Sequence, residues 1–202
     1  MKEMNFGSAC VHSEKREIKP GEEHMDAIYP TSTYQYDDAQ ELMEIFKKEK
    51  EGFIYSRWSN PGFERAEEKI SMLECLNLKD ENGNRLKAKA QLFSSGMAAI
   101  TACFISNLNP GDKIITQNNL YGGSSELMNT ILKRFGIETV MTDCKNLERL
   151  EEILQSDSKI KLLYLESPTN PTIEVYDLEK LNSLAKKYSL ITLVDNTFCS
   201  PF

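Results

Sequence analysis

The 202 residues contain no bilayer span, no disulfide framework and no patch for gripping nucleic acid. No apolar run approaches the roughly 20 residues needed to cross a membrane. The opening stretch MKEMNFGSACVHSEKREIKPGEEH lacks the apolar segment of a secretory signal, so the expected location is the cytoplasm, with no membrane partner. Basic side chains are outnumbered: 24 Lys and Arg against 31 Asp and Glu leave a net charge of −7, with no basic block. Such a chain does not hold a phosphate backbone by bulk electrostatics, which argues against nucleic acid as a partner. Cys10, Cys75, Cys103, Cys144 and Cys199 are widely spaced, form no C-x-x-C pair and have only two histidines for company. That excludes a clustered zinc site and a stapled secreted scaffold, and leaves reduced thiols. Neither G-x-G-x-x-G nor G-x-x-x-x-G-K-[ST] occurs, so dinucleotide and P-loop readings have no support.

What is present is a globular composition, 40% hydrophobic and 27% charged, long enough to bury a sizeable core. The pattern changes near Asn60-Pro61. Before it the chain is polar and dotted with aromatics, and reads as an extended arm. Its one helical stretch lies around Asp37–Lys50, where Leu42, Ile45 and Phe46 recur at i, i+3, i+4. After it, Pro61 sits where a first-turn proline is tolerated, and Ala66, Ile70, Leu73 and Leu76 follow at helical spacing. The polar stretch 78–89 reads as a surface loop. Strands are expected at 90–94, 113–117, 139–142, 159–166 and 190–195. Helices are expected between them at 96–108, 124–135, 147–154 and from Leu178 to Tyr188, the last capped by Asp177. This alternation predicts an α/β fold with a mostly parallel sheet covered by helices on both faces.

Open parallel sheets bind ligands at the C-terminal ends of their strands. Ser95-Gly96-Met97 opens a helix after the 90–94 segment. Small residues there suit an anion held by backbone N–H groups, and equally suit ordinary capping. Tyr121-Gly122-Gly123 follows the second strand, where the ring could cover a flat ligand or simply pack on a glycine turn. Ser167-Pro168-Thr169-Asn170-Pro171 follows the fourth, a stiff loop that fixes Asn170. Asp195 ends an apolar strand, where its carboxylate needs either a cationic partner or a helix to cap.

In chain order, Tyr55-Ser56-Arg57 with Asn60-Pro61, Ser95-Gly96-Met97-Ala98-Ala99, Tyr121-Gly122-Gly123, Glu166-Ser167-Pro168-Thr169-Asn170-Pro171 and Val194-Asp195-Asn196-Thr197-Phe198 resemble the Cys/Met-metabolism family of pyridoxal-phosphate enzymes. This is the group of cystathionine γ-synthases, cystathionine lyases, methionine γ-lyases and O-acetylhomoserine sulfhydrylases. The resemblance implies the large domain of a fold-type-I pyridoxal-phosphate-dependent transferase. Residues 1–60 would be a subunit-contacting arm and 61–202 the first part of the cofactor domain. It also implies a small amino-acid substrate, and a homo-oligomer, a tetramer built as a dimer of dimers, whose second subunit shares the active site. Gly96 and Met97 would hold the cofactor phosphate, joined by Tyr55 and Arg57 from the neighbouring subunit. Tyr121 would stack on the pyridine ring and act in catalysis. Asp195 would pair with the ring nitrogen, and Asn170 would bond near the phenolic oxygen. Glu166 is a supporting candidate.

Three departures from the family pattern stand out. Gly62 replaces a threonine, Tyr121-Gly122-Gly123-Ser124 departs mildly from Tyr-Gly-x-Thr, and methionine γ-lyases carry a cysteine where Gly123 stands. A fourth is larger. The family's cofactor-bearing lysine lies beyond the Asp-Asn-Thr strand, whereas the last lysine here is Lys187. The chain is therefore expected to be the N-terminal portion of a longer enzyme of sulfur amino-acid metabolism, acting by γ-replacement or γ-elimination and inactive by itself. The alternative is a lysine-free cofactor-binding or dimerisation subunit.

Overall fold

The computed structural model describes residues 5–12, 21, 25 and 27–201. They form two compact units, one running to Leu92 and the other from Phe93 to Ser200.

Among the described residues, the first unit has three helices, α1 (Phe6–Val11), α2 (Ala39–Phe46) and α3 (Pro61–Glu74). Asp38 caps α2 by accepting from the Gln40 amide, and Ile45 is its buried residue. Phe46, expected on the same apolar stripe, is exposed and meets the Trp58 ring edge-on at 5.3 Å. Thr33 and Tyr55 form an antiparallel bridge, flanked by Tyr34 N to Ile54 O (3.1 Å) and Ser56 N to Ser32 O (3.1 Å). Asn60 caps α3 through its Oδ1, which accepts from Gly62 N at 2.9 Å, while its Nδ2 donates to Tyr29 O and Ser56 Oγ. One buried side chain thus ties three segments and starts the helix, with Pro61 in the first turn.

The expected strand at 90–94 does not form. A strand needs a neighbour for its N–H and C=O groups, and none pairs with this segment among the described residues. Instead the Glu67 carboxylate of α3 accepts from the Leu92 backbone amide (2.8 Å) and the Gln91 side chain (3.0 Å).

The second unit begins with α4 (Gly96–Asn107). It continues through β1 (Lys113–Gln117), α5 (Gly122–Glu126), β2 (Glu138–Thr142), α6 (Leu147–Ser156), β3 (Ile160–Glu166), α7 (Leu178–Lys187) and β4 (Ile191–Asp195). The four strands lie in the order β2-β1-β3-β4 and every pairing is parallel. Alternation along β3 explains the two covered faces. Leu163 and Leu165 join Ile115, Leu150, Leu154, Leu181 and Ala185, the layer under α6 and α7. Leu162 and Tyr164 join Ile114, Phe104, Leu127, Met128 and Leu132 on the opposite side. Phe104 is fully buried edge-on against Tyr164 at 5.4 Å, and such burial contributes about 1.5–3 kcal/mol.

The helix expected over 124–135 changes pitch. After α5 the chain makes one π-turn, Leu127–Ile131, and then a 3₁₀ turn, Leu132–Phe135, ended by Gly136 at φ +76°. The π-turn bond from Leu132 N to Leu127 O returns two buried leucines five residues apart to one face, which α-helical pitch does not do. All five cysteines are free, and burial pushes the Cys144 thiol up to about 12. Among the described residues no helix is long and apolar enough to cross a membrane.

Candidate active site at the strand ends

In the second unit the C-terminal ends of β1, β3 and β4 deliver Tyr121, Asn170 and Asp195, and α4 starts at Gly96. Ser95 caps α4 by accepting from Ala98 N at 3.1 Å. The next two amides, of Gly96 and Met97, belong to the first turn and have no acceptor within the helix. Space in front of Gly96 is open, since a Cβ there would meet nothing within 4 Å. That combination fits an anion.

Tyr121 precedes α5 with its side chain 47% exposed. Gly123 lets the ring sit close: a Cβ at 123 would lie 2.7 Å from Tyr121 Cε1 and 3.2 Å from Met97 Sδ, so a side chain there would need the ring to shift. Tyr121 and Met97 therefore flank one glycine, which brings the ring beside the start of α4. Asp195 is half-buried and stands in register with Glu166 of β3. Its Oδ1 accepts from the Thr197 amide and hydroxyl, while its Oδ2 has no donor among the described residues. A fixed carboxylate with one oxygen to spare suits a protonated ring nitrogen. Ser167 N to Asp195 O (3.1 Å) and Asn196 Nδ2 to Ser167 O (2.6 Å) lock the two strand ends together.

Asn170 is exposed between two cis peptide bonds, Ser167-Pro168 and Asn170-Pro171. Its loop is closed by Thr169 N to Glu174 O (3.0 Å) and Glu174 N to Thr169 Oγ1 (2.9 Å), with Lys145 held on Glu174 at 2.6 Å. Ile173 in this loop has φ +56°, a costly conformation for a β-branched residue. Tyr55 and Arg57 lie together in the first unit, the guanidinium 5.3 Å from the Tyr55 ring centre.

Of the buried polar network beneath Tyr121, the sequence singles out Glu166 but not Gln117, Ser124 or Tyr164. Tyr164 Oη bonds Glu166 Oε1 (3.1 Å) and Ser124 Oγ (3.2 Å), and Glu166 Oε2 accepts from Tyr121 N at 2.8 Å. Gln117 closes the other side, donating to Glu166 O and accepting from Glu166 N. Burial, with a contribution from the nearby Asp195 charge, raises the Glu166 pKa; burial drives the Tyr164 phenol above its ordinary range. The available signal was a polar residue ending each of two otherwise apolar strands, Gln117 and Glu166.

A parallel sheet whose strand ends gather an open helix start, an exposed tyrosine and a half-buried carboxylate is the arrangement of a cofactor-binding α/β domain. The family model described as "Cys/Met metabolism PLP-dependent enzyme" matches residues 7–202. The chain belongs to this family of pyridoxal-phosphate-dependent enzymes. It is 34% identical over 203 residues to an L-methionine gamma-lyase of Fusobacterium nucleatum, covering all of this chain and 48% of that protein. It is 35% identical over 175 residues to the cystathionine gamma-lyase of Bacillus subtilis, covering 87% of this chain and 40% of that protein. A structure of a putative O-acetylhomoserine (thiol)-lyase from Campylobacter jejuni superposes with a TM-score of 0.84 at 29% identity. That match covers 98% of this chain and 46% of that one, which holds N'-pyridoxyl-lysine-5'-monophosphate. The chain thus spans about half the length of the relatives it matches.

Proposed function

We propose that residues 1–202 supply the cofactor-holding part of an enzyme of sulfur amino-acid metabolism. The reaction would be γ-elimination or γ-replacement on cystathionine-type substrates or homoserine esters. The observation that carries this is the strand-end constellation: open amides at Gly96 and Met97, the Tyr121 ring beside them, and Asp195 with an unused carboxylate oxygen. When bound, pyridoxal phosphate supplies an electron sink for the substrate amino acid.

The chain's own residues then have defined tasks. The Gly96 and Met97 amides hold the phosphate, where the helix dipole favours negative charge. Asp195 keeps a proton on the ring nitrogen. Tyr121 covers the ring and excludes water from one face, and Asn170 donates from its amide near the phenolic oxygen. Tyr55 and Arg57 would complete the phosphate site of a neighbouring subunit, as the family resemblance implies, within a cytoplasmic homo-oligomer. Residues 61–202 would be the first part of the cofactor domain, and the lysine that carries the cofactor would come from outside residues 1–202.

The test is an assay of the protein as expressed from its own gene, with pyridoxal phosphate and with methionine, cystathionine or O-acetylhomoserine plus sulfide. Chemistry at the γ-carbon of any of the three is the expected result. Bound cofactor with no turnover on all three would overturn the enzyme reading in favour of a lysine-free binding or dimerisation subunit.

A further inference from the structure

Tyr121 begins a helix yet has no side-chain cap, and its phenol makes no hydrogen bond to a described residue. Its place is fixed from behind, by the 2.8 Å bond from its backbone amide to Glu166 Oε2. Glu166 is 3% exposed and is itself held from four sides. Tyr164 of β3 bonds its other oxygen, Ser124 of α5 reaches the same pair, Gln117 of β1 clamps its backbone, and Asp195 of β4 faces it in register. The titratable groups around it are Tyr164 and Asp195; Ser124, Gln117 and the Tyr121 amide are neutral.

We infer that Glu166 is a positioning residue of the reaction: its carboxylate ties the Tyr121 backbone to the end of β3 and thereby sets the ring that covers the cofactor. The consequence at the cofactor rests on the proposed function; the tie itself does not. A leucine or alanine at 166 would leave the Tyr121 amide without its acceptor and the Tyr164 hydroxyl with Ser124 Oγ alone. A glutamine would keep both contacts, its carbonyl accepting from Tyr121 N and its NH₂ donating to the Tyr164 oxygen. The charge adds strength to the Tyr121 bond, because an ionised acceptor holds an N–H more tightly than a neutral one. Burial raises the Glu166 pKa, so the carboxylate takes up its proton at a higher pH than an exposed glutamate does. The tie therefore loosens on acidification before ordinary surface carboxylates titrate.

The experiment measures amide hydrogen exchange at Tyr121 in the ¹⁵N-labelled chain, wild type, E166Q and E166A, across about pH 4–8, corrected for intrinsic exchange. Binding of pyridoxal phosphate to the same three proteins is measured by equilibrium dialysis. In the wild type, Tyr121 protection should fall as pH drops through the raised Glu166 pKa. E166Q should keep most of the protection and lose the pH step. E166A should exchange faster by about tenfold or more and bind pyridoxal phosphate about tenfold more weakly. Tyr121 protection in E166A equal to wild type, or the same pH step in E166Q, would overturn the inference. If E166A does not fold, the isosteric E166Q decides through the pH step alone. If the wild type takes up no pyridoxal phosphate, the cofactor reading fails while the exchange data still decide the tie.

Discussion

Asp195→Ala in the active assembly should lower kcat by on the order of 10²–10³-fold, the loss expected when a preorganised charge facing the reacting system is removed. The side chain ends β4 with one oxygen fixed by Thr197 and the other unused, half-buried beside Glu166. No described residue donates to that second oxygen, which leaves its charge open to a ligand. Asp195→Asn separates charge from shape: it keeps the Thr197 contacts through its carbonyl and cannot hold a proton on a ring nitrogen. It should therefore be nearly as slow as the alanine variant. Steady-state kinetics on both variants checks this, and a kcat within about threefold of wild type for either would contradict the assignment.

A polypeptide of residues 1–202 alone should bind pyridoxal phosphate without acting on methionine, cystathionine or O-acetylhomoserine. A nucleophilic or basic lysine needs its amine deprotonated, hence a lowered pKa. Lys50, Lys113, Lys180 and Lys187 go the other way: hydrogen bonds to carboxylates hold each above its ordinary pKa. Lys187, the last in the chain, is held by Glu151 on the face of α6 and α7. With none of these lysines poised to move the substrate proton, the rate should fall at least about 10²–10⁴-fold below the complete enzyme. Methanethiol from methionine, cysteine from cystathionine, or homocysteine from O-acetylhomoserine and added sulfide, formed by the isolated chain at a comparable rate, would refute this.

The second unit was largely legible from its sequence because its signals are local. Leu162–Leu165 forms an apolar run of strand length, Asp177 caps α7 one residue before its apolar period starts, and Asn109-Pro110-Gly111-Asp112 marks the turn into β1. The strand at 90–94 was misread because an apolar run shows willingness to pair but not the presence of a partner, and Glu67 took its amide instead. The π-turn at Leu127–Ile131 was not legible because it is set by where Leu127 and Leu132 must meet the sheet. Similarly, Phe46 keeps the helical period of its stripe but finds Trp58 in place of a core. Candidate residues following strands could be located by position alone. The network under Tyr121 could not, because Gln117, Ser124, Tyr164 and Glu166 converge only after β1 and β3 are in register and α5 has packed beside them.

The central claim is that the start of α4 holds a phosphate and Asp195 faces the attached ring. The most direct measurement is a set of ¹H–¹⁵N spectra of the protein with pyridoxal phosphate and, separately, with phosphate-free pyridoxal. The account predicts that pyridoxal phosphate shifts the Gly96 and Met97 amides together with those around Asp195, and that pyridoxal leaves Gly96 and Met97 nearly unmoved. Equal shifts with both ligands, or shifts confined to other surfaces, would contradict it.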